Sequence, residues 1–254
     1  MRIGTTSCIW HDYMLPNVER LAGRVDDVEL LLFDIERDVP PPAEVARLAE
    51  LARAHALSYT VHTPLDASLA STDEGRRTAG VDKVRRALAW GAPLAPVGYT
   101  VHVYLGDGER DSAPPTDLDA WRARAHRSLA ALAAEVPARA LCVECIDYDF
   151  ALIAPVVEAL DLSVALDVGH LMRDGRGLAA ALDAWLPRTR IVQLHGTRPD
   201  GRDHKSLAWA RRQDLEWLFR TLIDRQFGGV VTLELFDPDD LDASLALVRS
   251  LLSS

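Results

Sequence analysis

Imidazoles and carboxylates recur in this chain at the ends of short apolar runs. The strings are TVHTP at His62, TVHVY at His102, CVECID at Glu144 and ALDVGH at Asp167 and His170. VQLHGT carries His195, RDHKSL carries His204 and TLELFD carries Glu234. Imidazole nitrogen with carboxylate oxygen is the donor mix of zinc, manganese and iron sites. A single histidine after an apolar run is more often a hydrogen-bonded core residue. A succession of such ends, each bearing a metal-binding residue type, points to one polynuclear site. Buried acids need partners, because an isolated buried charge is costly, and convergence on metal would supply them.

The elements that must position these residues are strands alternating with helices. Apolar, β-branched runs predict strands over Arg2–Ser7, Asp27–Ile35, Ser58–Thr63, Gly98–Tyr104, Ala140–Ile146, Leu162–Val168, Arg190–Gly196 and Gly229–Phe236. Helical spacing predicts helices over Pro42–His55, Thr72–Trp90, Asp117–Glu135, Phe150–Leu160, Leu178–Leu186, Arg212–Phe227 and Pro238–Leu252, with a shorter one around Leu15–Leu21. Regular βα alternation calls for a parallel sheet with right-handed crossovers. Eight units in 254 residues favour one closed (β/α)8 TIM barrel spanning residues 1–254 over an open sheet. No Gly-rich phosphate fingerprint follows the first strand, which counts against a dinucleotide-binding fold.

In such a barrel the active face lies at the C-terminal strand ends. His62, His102, Glu144, Asp167, His195 and Glu234 each close a strand there. His170 follows Asp167 through the turn-forming Gly169, and Asp203-His204 lie in the loop after the seventh strand. His11, after the first strand, is a candidate substrate contact on position alone. Trp10, Tyr13, Tyr104 and Trp209 would form an aromatic wall or simply pack under loops. Arg198, Arg202 and Lys205 are candidates for phosphate charge or are solvated loop charges. His55 and His126 fall within helices as surface or packing residues. The loop Gly106–Thr116 reads either as a solvated connection or as a lid.

Composition narrows the class. With 48% hydrophobic residues the chain can bury a large core without disulfides. Its 3 cysteines make no even framework, which suits a reducing cytoplasm. Cys142 and Cys145 form a CxxC, but on a strand they point to opposite faces and cannot chelate one ion. No targeting segment and no membrane-spanning run are visible, so the expected location is cytoplasmic. The net charge of -10 disfavours nucleic acid, whose binding draws on Lys and Arg. A small-molecule partner is expected.

The set His62, His102, Glu144, Asp167, His170, His195, His204 and Glu234 resembles that of the xylose isomerase-like barrel superfamily, and within it the endonuclease IV-type enzymes. That resemblance implies two or three divalent ions, as zinc, manganese or iron. His62 and His102 would hold one ion, with Glu144 bridging. Asp167, His195 and Glu234 would serve a second, and His170 with His204 a third. That family has an Asp-x-His pair where this chain has adjacent Asp203-His204. Adjacent side chains diverge, so both need not reach one ion.

Longer strings resemble the cobamide-remodelling phosphodiesterases: RIGTTSCIW, SYTVHTPLD, DLSVALDVGHLM, IVQLHG, GRDHKSL and GVVTLELFDPDDLDASL, in that order. The resemblance implies hydrolysis of the nucleotide-loop phosphodiester of a corrinoid, giving cobinamide phosphate and an α-riboside, with Glu144 and Glu234 as the catalytic carboxylates. Cys145 stands where that family suggests Asn, and Gln193 where it suggests His. Three other readings remain. A one-metal sugar isomerase or epimerase would use Glu144, Asp167, His195 and Glu234. Its second glutamate would fall at Phe150, and His62 and His102 would have no role. A DNA-repair endonuclease fits the ligand set but not the charge. A non-catalytic corrinoid- or metal-binding protein would not need so many ligands.

Overall fold

The computed structural model describes residues 1–35, 39–106, 115–144 and 148–253. Its strands are β1 (Arg2–Thr6), β2 (Asp27–Leu31), β3 (Ser58–His62), β4 (Tyr99–His102), β5 (Leu141–Glu144), β6 (Ser163–Asp167), β7 (Thr189–Leu194) and β8 (Val230–Leu233). All pair in parallel, in sequence order, and β8 closes on β1. The helices are α1 (Met14–Leu21), α2 (Pro42–His55), α3 (Glu74–Gly91), α4 (Leu118–Ala133), α5 (Ala154–Ala159), α6 (Val168–Arg173), α7 (Leu178–Trp185), α8 (Arg212–Asp224) and α9 (Pro238–Leu252). The expected (β/α)8 barrel is therefore present. Among the described residues no helix is long and apolar enough to cross a membrane.

Strand alternation divides the core in two. Val28, Leu30, Val61, Val101, Val143, Val164, Val192 and Val231 belong to the large apolar layer shared with the helices. Trp121 and Leu129 of α4 and Leu218 and Phe219 of α8 enter it fully buried. The alternate residues face the barrel interior, and many are polar. Asp27, Glu29, Thr60, Thr100, Gln193 and Thr232 are all buried there. Cys142, Ala165 and Ile191 form a small separate apolar cluster. They lie two to four residues before Glu144, Asp167 and His195 on their strands, towards the N-terminal end of the barrel. The metal-binding residue types sit above this stack, at the C-terminal end.

Local differences from the expected elements have physical causes. β2 stops at Leu31 rather than Ile35, because its last ladder partners are Thr6 on one side and His62 on the other. The helix expected over Phe150–Leu160 splits into a 3-10 turn, Phe150–Leu152, and α5. Pro155 lacks an amide and is tolerated only in a first turn, so α5 must begin beside it. α7 gives way to a 3-10 turn at Leu186–Arg188 for the same reason, with Pro187 inside it. α6 was not expected at all; Asp167 caps it. His195 and Glu234 stand one residue past β7 and β8. Residues 107–114 of the Gly106–Thr116 loop, and Cys145 of the CxxC, lie outside the described residues. Cys142 is buried on β5, where burial pushes its thiol up to about 12.

Candidate metal centre

Three groups of donors converge at the barrel mouth among the described residues. They are His62, His102 and Glu144; Asp167, His195 and Glu234; and His170, His195 and His204. In the first, His102 Nε2 lies 3.2 Å and His62 Nε2 3.8 Å from Glu144 Oε2, and the two Nε2 atoms are 3.0 Å apart. His62 Nδ1 faces its neighbour's carbonyl, Thr63 O, at 2.9 Å. A proton on Nδ1 leaves the Nε2 lone pair aimed at Glu144, the tautomer a metal ligand needs. Tyr104 stacks on the far side of His102, with ring centroids 5.5 Å apart, and Trp121 Nε1 donates to the Tyr104 carbonyl.

In the second group Asp167 does two things. Its Oδ1 accepts from the His170 amide at 2.7 Å, capping α6, and lies 3.7 Å from His195 Nε2. Its Oδ2 is 2.8 Å from His170 Nδ1. The turn works because residue 169 is glycine. A Cβ there would stand 2.4 Å from His195 Cδ2, inside the imidazole. Glu234 is anchored through its neighbours. Thr5 Oγ1 donates to the Leu233 carbonyl and Thr6 Oγ1 to the Leu235 carbonyl, so β1 holds the chain on both sides of this carboxylate.

The third group depends on a strained loop. Gly196 pairs with Lys205 as an antiparallel bridge, and a Cβ on Gly196 would stand 2.1 Å from Ser206 O. The hairpin brings His204 back over His195, at 4.3 Å between centroids. His204 adopts φ of +51°, an unfavourable conformation for a residue with a Cβ. Asp203 points elsewhere: its Oδ2 is 2.7 Å from Arg173 Nη1 and 3.4 Å from His170 Nε2. The adjacent pair splits between neighbours, with His204 over His195 and Asp203 between Arg173 and His170, and both residues line one cavity.

The electrostatics suit a cation. Burial, and then the neighbouring His102, push His62 down to about 4. Burial pushes His195 down to about 4 as well. Both imidazoles are therefore neutral near pH 7, as metal binding requires. Burial raises Glu234 well above its ordinary value, and the nearby Asp167, Glu29 and Glu144 carboxylates raise it further. Burial also disfavours ionisation of Glu144 and Asp167, but contacts with His102 and His170 respectively outweigh it and hold both carboxyls low. His195 Nε2 and Glu234 Oε2 are buried with no hydrogen-bond partner among the described residues. Two such atoms in one histidine-carboxylate group fit divalent metal.

A cavity of about 280 Å3 opens over these groups. Its lining includes His62, His102, Glu144, His170, His204 and Glu234. Arg173, Phe33 and Phe236 line it too, and sequence reasoning missed all three. Arg173 lies one helical turn after His170, on the unexpected α6. Glu29 was missed for a different reason. It sits in mid-strand, in phase with Asp27 and beside Thr100, with both carboxylate oxygens buried. An acid inside the run DVELL was a readable signal, but it falls outside the pattern of strand ends. Of the expected substrate contacts, His11 is exposed and outside this lining. Arg202 pairs with Asp200 at 2.6 Å, and Lys205 lies 3.5 Å from Asp240. Arg198 stacks 5.2 Å over the half-exposed Trp209. None of the four lines the cavity.

Residues 22–251 match the family described as the xylose isomerase-like TIM barrel, and the chain belongs to that family. Solved structures of several enzymes share its fold. A D-tagatose 3-epimerase-like protein superposes with a TM-score of 0.82 at 17% identity, covering 100% of this chain and 97% of that one. Endonuclease IV from Thermus thermophilus gives 0.74 at 22%, covering 100% and 99%. The IolI protein, solved with a zinc atom, gives 0.75 at 14%, covering 99% and 96%. No curated protein sequence matches the chain significantly.

Proposed function

We propose that the chain is a metal-dependent phosphodiesterase and that its substrate is the nucleotide loop of a cobamide. The observation that carries the reaction class is the number of converging imidazoles. Asp167, His195, Glu234 and Glu144 would suffice for a single ion. His62 and His102 meet Glu144 on one side of that set, and His170 and His204 adjoin it on the other. A site for one ion gives His62 and His102 no role. The substrate class rests on the ordered sequence strings described above.

The chemistry follows from the donors. Bound divalent ions would polarise phosphoryl oxygens and lower the pKa of water. Arg173 projects a cation into the same cavity and is oriented by Asp203 and Asp174. It would hold a non-bridging phosphoryl oxygen. Glu144 and Glu234, among the donors on opposite sides, would fix the attacking water. Water oxygen bonds to phosphorus, the bond from phosphorus to the ribose oxygen breaks, and a proton passes to that oxygen. The products are cobinamide phosphate and the free α-riboside.

A sugar epimerase with one divalent ion is the second reading, favoured by the same four-residue set. Against it, the position six residues after Glu144 is Phe150, buried against Trp185 with ring centroids 4.9 Å apart and without an ionisable group. Incubating the purified, metal-loaded chain with cobamides, ketoses and abasic DNA, with products resolved by mass, separates the readings. Cobinamide phosphate is the expected product. Epimerised ketose beside intact cobamide would overturn the proposal.

A further inference from the structure

The cavity over the donors has a neighbour on the side of β2, with Leu31 and Phe33 as a common wall. This second cavity measures about 410 Å3. Its other walls come from Tyr13 and Met14, after β1, and from Val39 and Pro41, on the approach to α2.

The two cavities differ in chemistry. The one over the donors holds the histidines and Arg173. The second has apolar walls in Tyr13, Met14, Leu31, Phe33 and Val39 beside the polar Ser7, and its charged lining residues among those described are Glu44 and Asp12, whose Oδ2 lies 3.0 Å from Arg20 Nη2. A phosphate seated there would find no cation in the described lining. An uncharged planar group would meet the apolar walls. Two large rings stand at its edge with surface to spare, Tyr13 at 84% exposed and Phe33 at 45%. Such rings offer stacking faces for a planar ligand.

We infer that this second cavity seats the aromatic base of the nucleoside released from the phosphodiester. The inference rests on the phosphodiesterase reading and says which half of the substrate lies where. A volume of about 410 Å3 falls within the ~300–1,000 Å3 of small-molecule sites and accommodates a bicyclic base with its ribose. A corrin, with its ring of amide arms, is too large and would rest outside the barrel mouth. The phosphate then spans the junction at Phe33, and Arg173 and the donors hold it. Size, the two exposed rings and the lack of a cation in the described lining put the base on this side.

Titration of benzimidazole riboside into the metal-free full chain tests the seat without turnover, with ribose as the control. The riboside should bind and ribose should not. Tyr13→Ala and Met14→Ala should each weaken riboside binding roughly fivefold or more, from the loss of stacking and apolar contact. Tyr13→Phe should bind as the unaltered chain does, because the ring face is kept. In turnover of a cobamide the two alanine variants should raise KM, with kcat within about twofold. Failure of the riboside to bind, or binding by both alanine variants as tight as that of the unaltered chain, overturns the seat. If cobamide is cleaved with KM unchanged in both variants, the seat falls and the hydrolase reading stands. If the riboside binds through Tyr13 and no phosphodiester is cleaved, the seat stands and the hydrolase reading falls.

Discussion

Glu234 is the residue with most to gain from a cation. Burial and nearby carboxylates disfavour its charge, and its Oε2 has no hydrogen-bond partner among the described residues. Glu234→Gln keeps the shape and removes the charge, so metal occupancy and turnover should fall together. A loss of kcat of roughly 100-fold or more is expected, with a smaller change in cobamide affinity. Elemental analysis and steady-state kinetics read both; full metal content with unaltered kcat would remove Glu234 from the site. Glu29 gives a test of opposite sign. Unfolded, its carboxyl ionises near 4.5; folded, burial and then Glu144 hold the proton on to higher pH. The folded state therefore binds more protons above that value, and stability declines as pH rises. Metal-free Glu29→Gln should melt higher than the unaltered protein at about pH 8 and lose that advantage towards pH 4.5. A difference in Tm that is the same at both ends would refute the assignment.

At the scale of elements, α6 is the part most worth perturbing. Its first turn passes so close to His195 that Gly169→Ala must displace the ring. The expected result is a native circular dichroism spectrum with metal affinity down roughly 10- to 100-fold. Retained affinity would mean that the turn can move aside. The same helix shows where the sequence stopped being legible. Eight strands and their order could be read because β-branched runs alternate with helical spacing over the whole chain. His62, His102, Glu144, Asp167, His195 and Glu234 could be read because each sits at or next to the end of such a run. Arg173 could not, since six residues are too few to show a helical period and a capping Asp looks the same as a liganding one. His204 was found by its type, but its left-handed backbone depends on the Gly196–Lys205 bridge, a contact that spacing does not reveal. Tyr13 could be read as a candidate for an aromatic wall, whereas Phe33, inside the run Asp27–Ile35, reads only as a strand residue.

At the scale of the whole molecule, removing metal should cost stability as well as activity. A ligand present at a thousand times its Kd contributes about 4 kcal/mol. For a chain of 254 residues, chelation should then lower Tm by roughly 10 °C. A melt unmoved by chelator, on protein shown to have carried metal, would detach the centre from the fold. Acid should have a related effect on the metal-free form. His62 and His195 keep neutral rings down to about 4, whereas an unfolded histidine takes a proton near 6.5. Between those values the unfolded state binds more protons, so that share of stability is complete above about 6.5 and drains away as pH falls towards 4. Histidine resonances followed in chelator would show it directly, and titration of both rings near 6.5 would contradict it.

The hydroxyls of Thr5 and Thr6 bind the carbonyls on either side of Glu234. β1 therefore steadies a carboxylate carried just past β8, across the seam where the barrel closes. Until that seam shuts, Asp167 and His195 lack Glu234, the third corner of their group. If the group takes a divalent ion, tight capture should wait for closure, and binding of the ion would then report that the seam has shut.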